Sequence, residues 1–310
     1  MSSSSSTTVI IKSCLDILRR LDPAETEKHL DNLTKLLSND DISDELYQRV
    51  DIPLKVLKDT QADGRKFLAC DHNRDGDSHR SPWSNMYFPQ LLQDDDGFYP
   101  SERLRQLELH ANEVFDIYRE LYFGKSTSVS SVYLWDKEPN DNKNGGTNDE
   151  TAGFCGTFLI QNKVDDGSYW NSIHVVDVGG IEKGSRCEYK LTTTILISVT
   201  PSEEKDMQST TISGSLIRHN VREFNISSSL DRSSSSIRSE HIVNIGKFIE
   251  DVETEMRKEM DSLYIQKTKN VVDMMRKDTM KPTQGEEHTR VLNEAVLAMA
   301  MNRKTKLGGK

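Results

Sequence analysis

Residues Asp71 to Asp77 have the side-chain types and spacing of a calcium site. The run DHNRDGD places oxygen-bearing side chains at positions 1, 3, 5 and 7 of a calcium loop and glycine at position 6. An EF-hand loop also needs a bidentate Glu at position 12, where this chain has Pro82, and a helix on each side. Both flanks are instead predicted to be strand or turn. We therefore predict Asx-type turns, with these side chains bonded to local backbone, and treat a calcium-regulated interaction module as the alternative.

Other residues with reactive or metal-binding side chains form no catalytic constellation. His72 and His79 lie in a turn-rich segment, His110 in a predicted helix and His174 in a predicted strand, so structural or surface roles are expected for all four. The patterns GxSxG, GxxxxGK[ST] and a GxGxxG helix start are all absent from the sequence. We therefore predict no enzyme, no catalytic residue, no metal site and no cofactor. Four cysteines without a CxxC pair indicate reduced thiols in a cytosolic protein: Cys14, Cys70, Cys155 and Cys187.

The C-terminal segment reverses the charge of the rest of the chain. Between His288 and Lys310, Glu294 is the one acidic residue, and Leu292, Val296 and Met299 follow a helical i, i+4, i+7 stripe. A basic amphipathic helix of this kind suits docking into an apolar groove of a partner. Packing as ordinary core and lying on a membrane surface are the alternatives. The basic residues are Arg290, Arg303, Lys304, Lys306 and Lys310.

The overall composition excludes several classes of protein. A formal net charge of −10 argues against general nucleic-acid binding, which needs a concentrated basic patch. Hydrophobic residues make up 35% of the chain, a low share that fits a thin core or a core completed by a partner. The start MSSSSSTT lacks the charged and apolar regions of a secretory signal, and no run reaches the ~20 apolar residues of a membrane span.

Residues 1–124 are predicted to be mostly helical around one turn-rich segment. Residues 1–60 are expected to form a layer of three short helices, the second begun by a capping box at Asp22-Pro23-Ala24-Glu25. Residues 61–100 suit turns and short strands, and residues 101–124 suit a helix capped by Ser101. The predicted apolar face of that helix is Leu104, Leu107, Ala111, Val114, Phe115, Tyr118 and Leu121.

Residues 125–220 are predicted to form an antiparallel sheet, since no helix intervenes between its strands. Residues 137–152 are a polar loop insertion, and 221–240 are a Ser-rich connector that we expect to be disordered. A long helix over 241–280 should lie across the sheet, followed by the C-terminal segment 281–310. The predicted strands are Val129–Trp135, Gly153–Asn162, Trp170–Val178, Arg186–Val199 and Ser209–His219.

Several blocks of this chain resemble the F-actin capping protein beta-subunit family. The block CDHNRDGDSHRSPWSN at 70–85 is the most characteristic, with His at 72 and 79 where the family usually has Tyr. VSSVYLWD at 129–136 and WNSIHVVDV at 170–178 follow in the family's order. The other matching segments are Pro100–Leu107, Leu121–Phe123, Tyr189–Thr192, His241–Gly246 and Lys267–Lys269.

The resemblance implies an α+β fold with an N-terminal helical stalk, an antiparallel sheet shared with a partner subunit, a long helix across that sheet and a C-terminal tentacle helix. The implied partner is the capping protein alpha subunit. The implied function is capping: the heterodimer binds filament barbed ends and blocks subunit addition and loss without severing. Phosphoinositides and proteins with capping-protein-interaction motifs are implied regulators, and the cytoplasm and cortical actin the implied location.

The family's actin-binding positions carry over to five residues. Arg257 matches a basic family position near the base of the tentacle, whereas Glu255 stands where the family has a neighbouring lysine. The tentacle residues predicted to bind actin are Leu292, Val296, Met299 and Arg303. The alternative function is a non-enzymatic interaction module that uses the basic C-terminal helix at a membrane surface or a partner groove.

Overall fold

The computed structural model describes residues 3–18, 20–37, 39–91, 97–124, 127–137, 153–164, 167–180, 186–199, 212–226 and 234–279. It has two compact units, Met1–Arg257 and Lys258–Lys310. The mixed helix and strand architecture with antiparallel sheets confirms the coarse fold class. None of the helices searched among these residues is both long and apolar enough to traverse a bilayer.

Three helices begin the first unit: α1 (Ser3–Leu18), α2 (Thr26–Thr34) and α3 (Asp40–Arg49). They pack around Cys14, Leu30 and Leu46, which are buried together. Helical structure begins at Pro23, the first helical position predicted for the motif at 22–25, and the side-chain bonds of the capping box stay a prediction. Pro23–Glu25 forms a 3-10 turn, the hydroxyl of Thr26 donates to the Pro23 carbonyl at 2.8 Å, and α2 begins one residue after the box ends.

Two small sheets follow the helices. A hairpin of β1 (Lys55–Asp59) and β2 (Arg65–Ala69) comes first, so strand structure begins inside the segment predicted to be helical. The second sheet contains β3 (Arg74–Asp75), β4 (Ser78–Arg80) and β5 (Tyr87–Phe88). Pro53 ends the helical pattern. Phe67, Leu68 and Ala69 of β2 are buried consecutively whereas most of β1 is exposed, so the hairpin contacts the core mainly through the end of β2.

Helix α4 (Glu102–Phe123) has Ser101 at its N-cap position, as predicted, but the Ser101 side chain makes no capping hydrogen bond. The Ser101 hydroxyl donates to Asp136 Oδ1 at 3.0 Å and its amide donates to Asp136 Oδ2 at 3.0 Å, so this residue joins the helix start to the sheet.

Glu108 is fully buried and accepts hydrogen bonds from Arg80 and Arg105. The predicted apolar face was partly wrong, because Val114 and Leu121 are exposed while Leu104, Leu107, Ala111 and Phe115 are buried.

The main sheet contains five antiparallel strands in the order β10-β9-β8-β7-β6. All five predicted strands are present and pair with their sequence neighbours. Their bounds are β6 (Ser128–Asp136), β7 (Phe154–Lys163), β8 (Tyr169–Val178), β9 (Arg186–Val199) and β10 (Ile212–Asn225).

Each face of the sheet is covered by different elements. On one face, Phe158 contacts Phe115 of α4 with ring centroids 4.8 Å apart. On the opposite face, Tyr133 and Leu159 form a buried cluster with Leu54 and with Leu68 of the hairpin. The sheet therefore lies between a helical layer and the N-terminal segment.

Helix α5 (Ser234–Met260) is followed directly by a π-helical segment, Asp261–Gln266, and by α6 (Lys267–Thr279). The long helix predicted over 241–280 is thus helical over its described part. Part of the predicted connector 221–240 is regular structure instead. Strand β10 continues to Asn225, and helix α5 starts at Ser234, within the serine run. In the second unit, α6 exposes Val271, Val272, Met274 and Met275.

Candidate partner-binding surface

Of the five residues predicted to contact actin, Arg257 lies within the described structure. Leu292, Val296, Met299 and Arg303 lie outside the described residues, as does the whole tentacle segment 281–310. The shared sheet and the tentacle helix stay predictions. The loop 137–152 is described only at Lys137.

Arg257 is held at the surface by one carboxylate and three aromatic rings. Its Nη2 donates to Glu253 Oε2 at 2.6 Å, an i,i+4 ion pair on α5. The guanidinium carbon lies 5.4 Å from the ring centroid of Phe123 and 5.6 Å from those of Tyr122 and Trp170. Its side chain keeps 32% of its surface exposed, so the cation is positioned by the protein yet open to solvent.

A line of polar contacts runs inward from Arg257 to the sheet. Glu253 Oε1 lies 3.0 Å from His174 Nε2, and His174 Nδ1 lies 3.0 Å from Thr193 Oγ1. All three inner residues are buried. The predicted structural role of His174 is confirmed, since both ring nitrogens have partners on neighbouring elements.

The contacts of Glu253 with His174 and Arg257 favour its ionised form. Burial opposes its ionisation, but the hydrogen bond from His174 and the charges of His174 and Arg257 outweigh that cost and hold the pKa of Glu253 below its ordinary value. The pKa of Tyr122 is raised because its hydroxyl donates to Glu250 at 2.7 Å. Arg257 is therefore locked to a stable anion, which keeps its guanidinium in one place.

Chain geometry at the end of α4 brings the aromatic residues to Arg257. Gly124 ends the helix with a φ of +79°, a conformation that glycine adopts without steric cost, and its amide donates to Glu120 at 3.1 Å. Tyr122 and Phe123 precede this turn, and Trp170, the second residue of strand β8, also lies by Arg257. Tyr122 is 49% exposed, so it links the aromatic cluster to the surface.

Exposed apolar side chains also lie on α4, the helix that carries Tyr122. Leu121 is 81% exposed and Ile117 is 61% exposed, one helical turn apart on α4. We call Ile117, Leu121, Tyr122 and Arg257 the α4–α5 surface. Two large exposed apolar groups one turn apart on the helix whose Tyr122 ring lies by Arg257 favour a protein–protein contact over ordinary solvated surface.

The outer edge of β10 is a second candidate contact. Among the described residues, this 14-residue strand pairs only with β9, so one row of its backbone donors and acceptors has no strand partner. Val221 is 60% exposed beside it. An open edge of this length can accept a strand from another chain.

The segment Asp71–Asp77 has the flanks predicted for it. Strand β2 precedes it, a 3-10 turn occupies Asp71–Asn73, and Gly76 makes the following turn with a φ of +54°. Asn73 is buried, donates to the carbonyl of Arg80 at 2.8 Å and accepts from the Cys70 amide at 2.9 Å. Its amide group is therefore used in local bonding, as the Asx-turn interpretation predicts.

The remaining histidines and the cysteines take structural positions. The His72 ring stacks on Trp135 with centroids 5.3 Å apart, and burial lowers the pKa of both His72 and His79. His110 lies on the exposed side of α4. All four cysteines are free thiols. Within the residues searched, no three His, Cys, Asp or Glu side chains converge as metal ligands.

Sequence reasoning missed the aromatic residues that surround Arg257. Tyr122 and Phe123 end helix α4 and Trp170 lies 47 or more residues later, so no local spacing joins them. A usable signal was present on α5. Glu253 interrupts an apolar stripe one turn before Arg257, and a carboxylate on a buried helix face requires a partner.

The comparisons with known proteins agree on one family. A family model described as F-actin capping protein, beta subunit, matches residues 11–272. The F-actin-capping protein subunit beta of Drosophila melanogaster is 41% identical over 267 residues, covering 84% of this chain and 85% of that protein. The protein of the same name from Saccharomyces cerevisiae is 38% identical over 262 residues, covering 84% and 87%.

One solved structure is similar to this chain over most of the length of both. It is the homodimeric actin capping protein alpha subunit from Plasmodium berghei, at 14% sequence identity and a TM-score of 0.44, with 87% of this chain and 96% of that chain covered. That similarity is too weak to support an argument, so the family assignment rests on the sequence matches.

Proposed function

Because this chain belongs to the F-actin capping protein beta-subunit family, we propose that it is the beta subunit of a heterodimer that caps the barbed ends of actin filaments. The match over residues 11–272 is the observation that carries this conclusion. Capping blocks both addition and loss of actin subunits at that end and does not sever the filament. The mechanism is binding and steric exclusion, not catalysis.

The alpha subunit adds to the main sheet at the outer edge of β10. Main-chain hydrogen bonds along the 14 residues of this strand would supply affinity, and exposed side chains such as Val221 would supply specificity. The low apolar content of the chain supports this arrangement, since a core completed by a partner needs fewer hydrophobic residues from each subunit.

The filament end contacts the α4–α5 surface and the C-terminal segment. Arg257 supplies a fixed positive charge, and Ile117 and Leu121 supply exposed apolar area on α4. Leu292, Val296 and Met299 of the tentacle enter an apolar cleft of a terminal actin subunit, with Arg303 alongside. Two attachments on one body make the second contact intramolecular, which slows escape from the filament end.

Co-expression with an alpha subunit tests the function directly. The expected result is a soluble 1:1 heterodimer that stops barbed-end elongation in a pyrene-actin assay seeded with short filaments. Dilution of preformed filaments supplies the second readout, because a cap also prevents subunit loss. Normal elongation at a saturating concentration of purified heterodimer would refute the proposal.

Phosphoinositides and proteins with capping-protein-interaction motifs are the proposed regulators, and the cytoplasm at cortical actin is the proposed location. The basic character of residues 288–310 supports attraction to anionic lipid headgroups. A phosphoinositide vesicle added to capped filaments should restore elongation, whereas a neutral phosphatidylcholine vesicle should not. If the two vesicles have equal effects on elongation, phosphoinositides are not regulators of this protein.

A further inference from the structure

Tyr122 of helix α4 links two charged residues of helix α5. Its hydroxyl donates to Glu250 Oε1 at 2.7 Å, and its ring centroid lies 5.6 Å from the guanidinium carbon of Arg257. We propose that Glu250 is a positioning residue for filament binding, which holds the Tyr122 ring against Arg257. This inference rests on the proposed capping function, and Glu250 is not one of the residues of the α4–α5 surface.

Glu250 and Arg257 project from the same side of α5. They are seven residues apart, two helical turns, so their positions are about 10 Å apart along the helix axis. The Tyr122 side chain spans this interval, with its hydroxyl at Glu250 and its ring beside Arg257. Tyr122 therefore contacts α5 at two points, and its position is fixed by the same helix that carries the cation.

Tyr122 differs from the other two rings around Arg257 in how it is held. The Phe123 side chain has no polar atom, and the Trp170 indole donates to Ser172 of its own strand at 2.8 Å. Tyr122 is instead bonded across to α5, and 49% of its surface is exposed. A half-exposed side chain has more rotamer freedom to lose than a buried one, so a hydrogen bond has a larger effect on its position.

Two carboxylates of α5 act on Arg257 in different ways. Glu253 binds the guanidinium itself, through Nη2 at 2.6 Å. Glu250 is exposed and forms no ion pair within the described ranges, so its carboxylate is available to the Tyr122 hydroxyl. A hydrogen bond to an ionised acceptor is stronger than one between neutral groups. Glu253 thus holds the charge, and Glu250 holds a ring against which the charge packs.

The direction of the Arg257 guanidinium depends on this packing. A planar guanidinium packed against aromatic rings presents its N–H groups in a limited set of directions, which suits a carboxylate of a partner. When Tyr122 loses its bond to Glu250, Arg257 gains freedom that filament binding must remove again. That entropic cost weakens binding although every contact with the filament can still form.

The test measures dissociation of the heterodimer from barbed ends after dilution of capped filaments. We expect Glu250→Ala and Tyr122→Phe each to speed dissociation about threefold, the effect of losing one modest hydrogen bond. Glu250→Gln keeps an acceptor oxygen and should dissociate nearly as slowly as wild type. Glu102→Ala is the matched control, because Glu102 is also an exposed glutamate that accepts one bond from a neutral side chain, Gln106 Nε2 at 3.0 Å.

The same changes in an Arg257→Ala background separate positioning from direct contact and from a structural role. Because Glu250 acts through Arg257, Glu250→Ala should cause no further increase in the dissociation rate there. A threefold increase in both backgrounds overturns the proposal. So does an increase in Glu102→Ala as large as that in Glu250→Ala, because it would show a general charge effect.

A measurement without filaments distinguishes failure of this proposal from failure of the capping function. In the heterodimer with isotope-labelled arginine, the Nε–H signal of Arg257 in the NMR spectrum is shifted by the adjacent aromatic rings. That shift should decrease in Glu250→Ala and stay the same in Glu102→Ala. Such a decrease in a heterodimer that does not cap refutes the proposed function alone, whereas an unchanged signal in Glu250→Ala overturns the positioning role.

Discussion

Glu253 Oε1 and His174 Nε2 lie 3.0 Å apart with both side chains almost fully buried. The two residues are 79 positions apart in sequence and join helix α5 to the middle strand of the sheet. The same carboxyl group binds Arg257 through its other oxygen. One buried anion therefore connects the interior of the sheet with the cation proposed to face the filament.

Glu253→Gln should destabilise the protein by about 3 kcal/mol or more at neutral pH, since it removes the anion from a buried ion pair. The pKa of Glu253 is lowered in the folded protein, so its contribution is complete above its ordinary pKa and is lost as pH falls through the lower folded value. Thermal unfolding of both proteins between pH 7 and pH 3 checks this. The difference in melting temperature should shrink toward acid pH.

Glu255→Gln provides the control for Glu253→Gln. Glu255 lies on the exposed side of the same helix, and its change should fall within about 0.5 kcal/mol of wild type. A melting-temperature difference for Glu253→Gln that stays constant down to pH 3 would contradict the ionised-pair account.

His241 should make the protein acid-sensitive in a different range. Burial, with the charge of Arg103 adding to it, lowers the pKa of His241 to about 4, and Tyr189 Oη lies 2.8 Å from its Nδ1. The unfolded chain therefore takes up a proton between pH 6.5 and 4 that the folded protein does not. By linkage, this residue should remove about 2 kcal/mol of stability between pH 7 and pH 5.

The measurement compares wild type with His241→Gln, which keeps a polar partner for Tyr189. Stability of the variant should fall less between pH 7 and pH 5 in chemical denaturation of the purified complex. His110→Gln is a control, because His110 is exposed on α4. Parallel pH profiles for wild type and His241→Gln would show that His241 does not titrate in this range.

Two glycines should respond in opposite directions to alanine. A Cβ at Gly156 in β7 would lie 2.3 Å from Leu134 Cδ2 and 3.1 Å from the Tyr133 carbonyl, so Gly156→Ala should cost about 1–3 kcal/mol by overpacking. A Cβ at Gly246 in α5 meets no heavy atom within 4 Å, so Gly246→Ala should stabilise the helix by about 0.5–1 kcal/mol. The denaturation midpoints of both variants test the packing of β7 against β6. Equal shifts of the midpoint in Gly156→Ala and Gly246→Ala would argue against tight packing at Gly156.

Arg257→Ala should weaken capping about tenfold, as expected for loss of an anchored cation at a protein interface. Lys247→Ala on the same helix is the matched control and should cap normally. Because Arg257 also pairs with Glu253, the melting temperature of each variant must be measured as well. An equal loss of capping in Arg257→Ala and Lys247→Ala would exclude a direct contact of Arg257 with the filament. So would a loss of capping that is explained by unfolding of Arg257→Ala.

Deletion of residues 286–310 should speed dissociation from barbed ends by about a hundredfold or more while the heterodimer still forms, because the second attachment is lost. The triple change Leu292→Ser, Val296→Ser, Met299→Ser should reproduce most of this effect with the segment present. Depolymerisation kinetics of capped filaments after dilution give the dissociation rate. Unchanged kinetics in the deletion would show that the tentacle is not an anchor.

Sequence pattern predicted the parts of this fold that depend on local composition and missed those that depend on distant pairing. The strands were located correctly because they are rich in Val, Ile, Thr and aromatic residues and have turn residues between them, as in Arg186–Val199. Helix α4 was located correctly, but Leu121 was assigned to the core since the helix has apolar residues on more than one side. The bond between Ser101 and Asp136, like that between His174 and Glu253, joins residues whose proximity only the folded sheet creates.

The outer side of β10, which pairs with no strand in the described part of the chain, has a consequence for the synthesis of the protein. A newly synthesised chain without its counterpart would present fourteen residues of ready hydrogen-bonding backbone to any extended segment it meets. Synthesis of the two subunits in matched amounts avoids this exposure, and a cell that makes one in excess should degrade the surplus. Half-life measured with and without a co-expressed counterpart would report on that dependence.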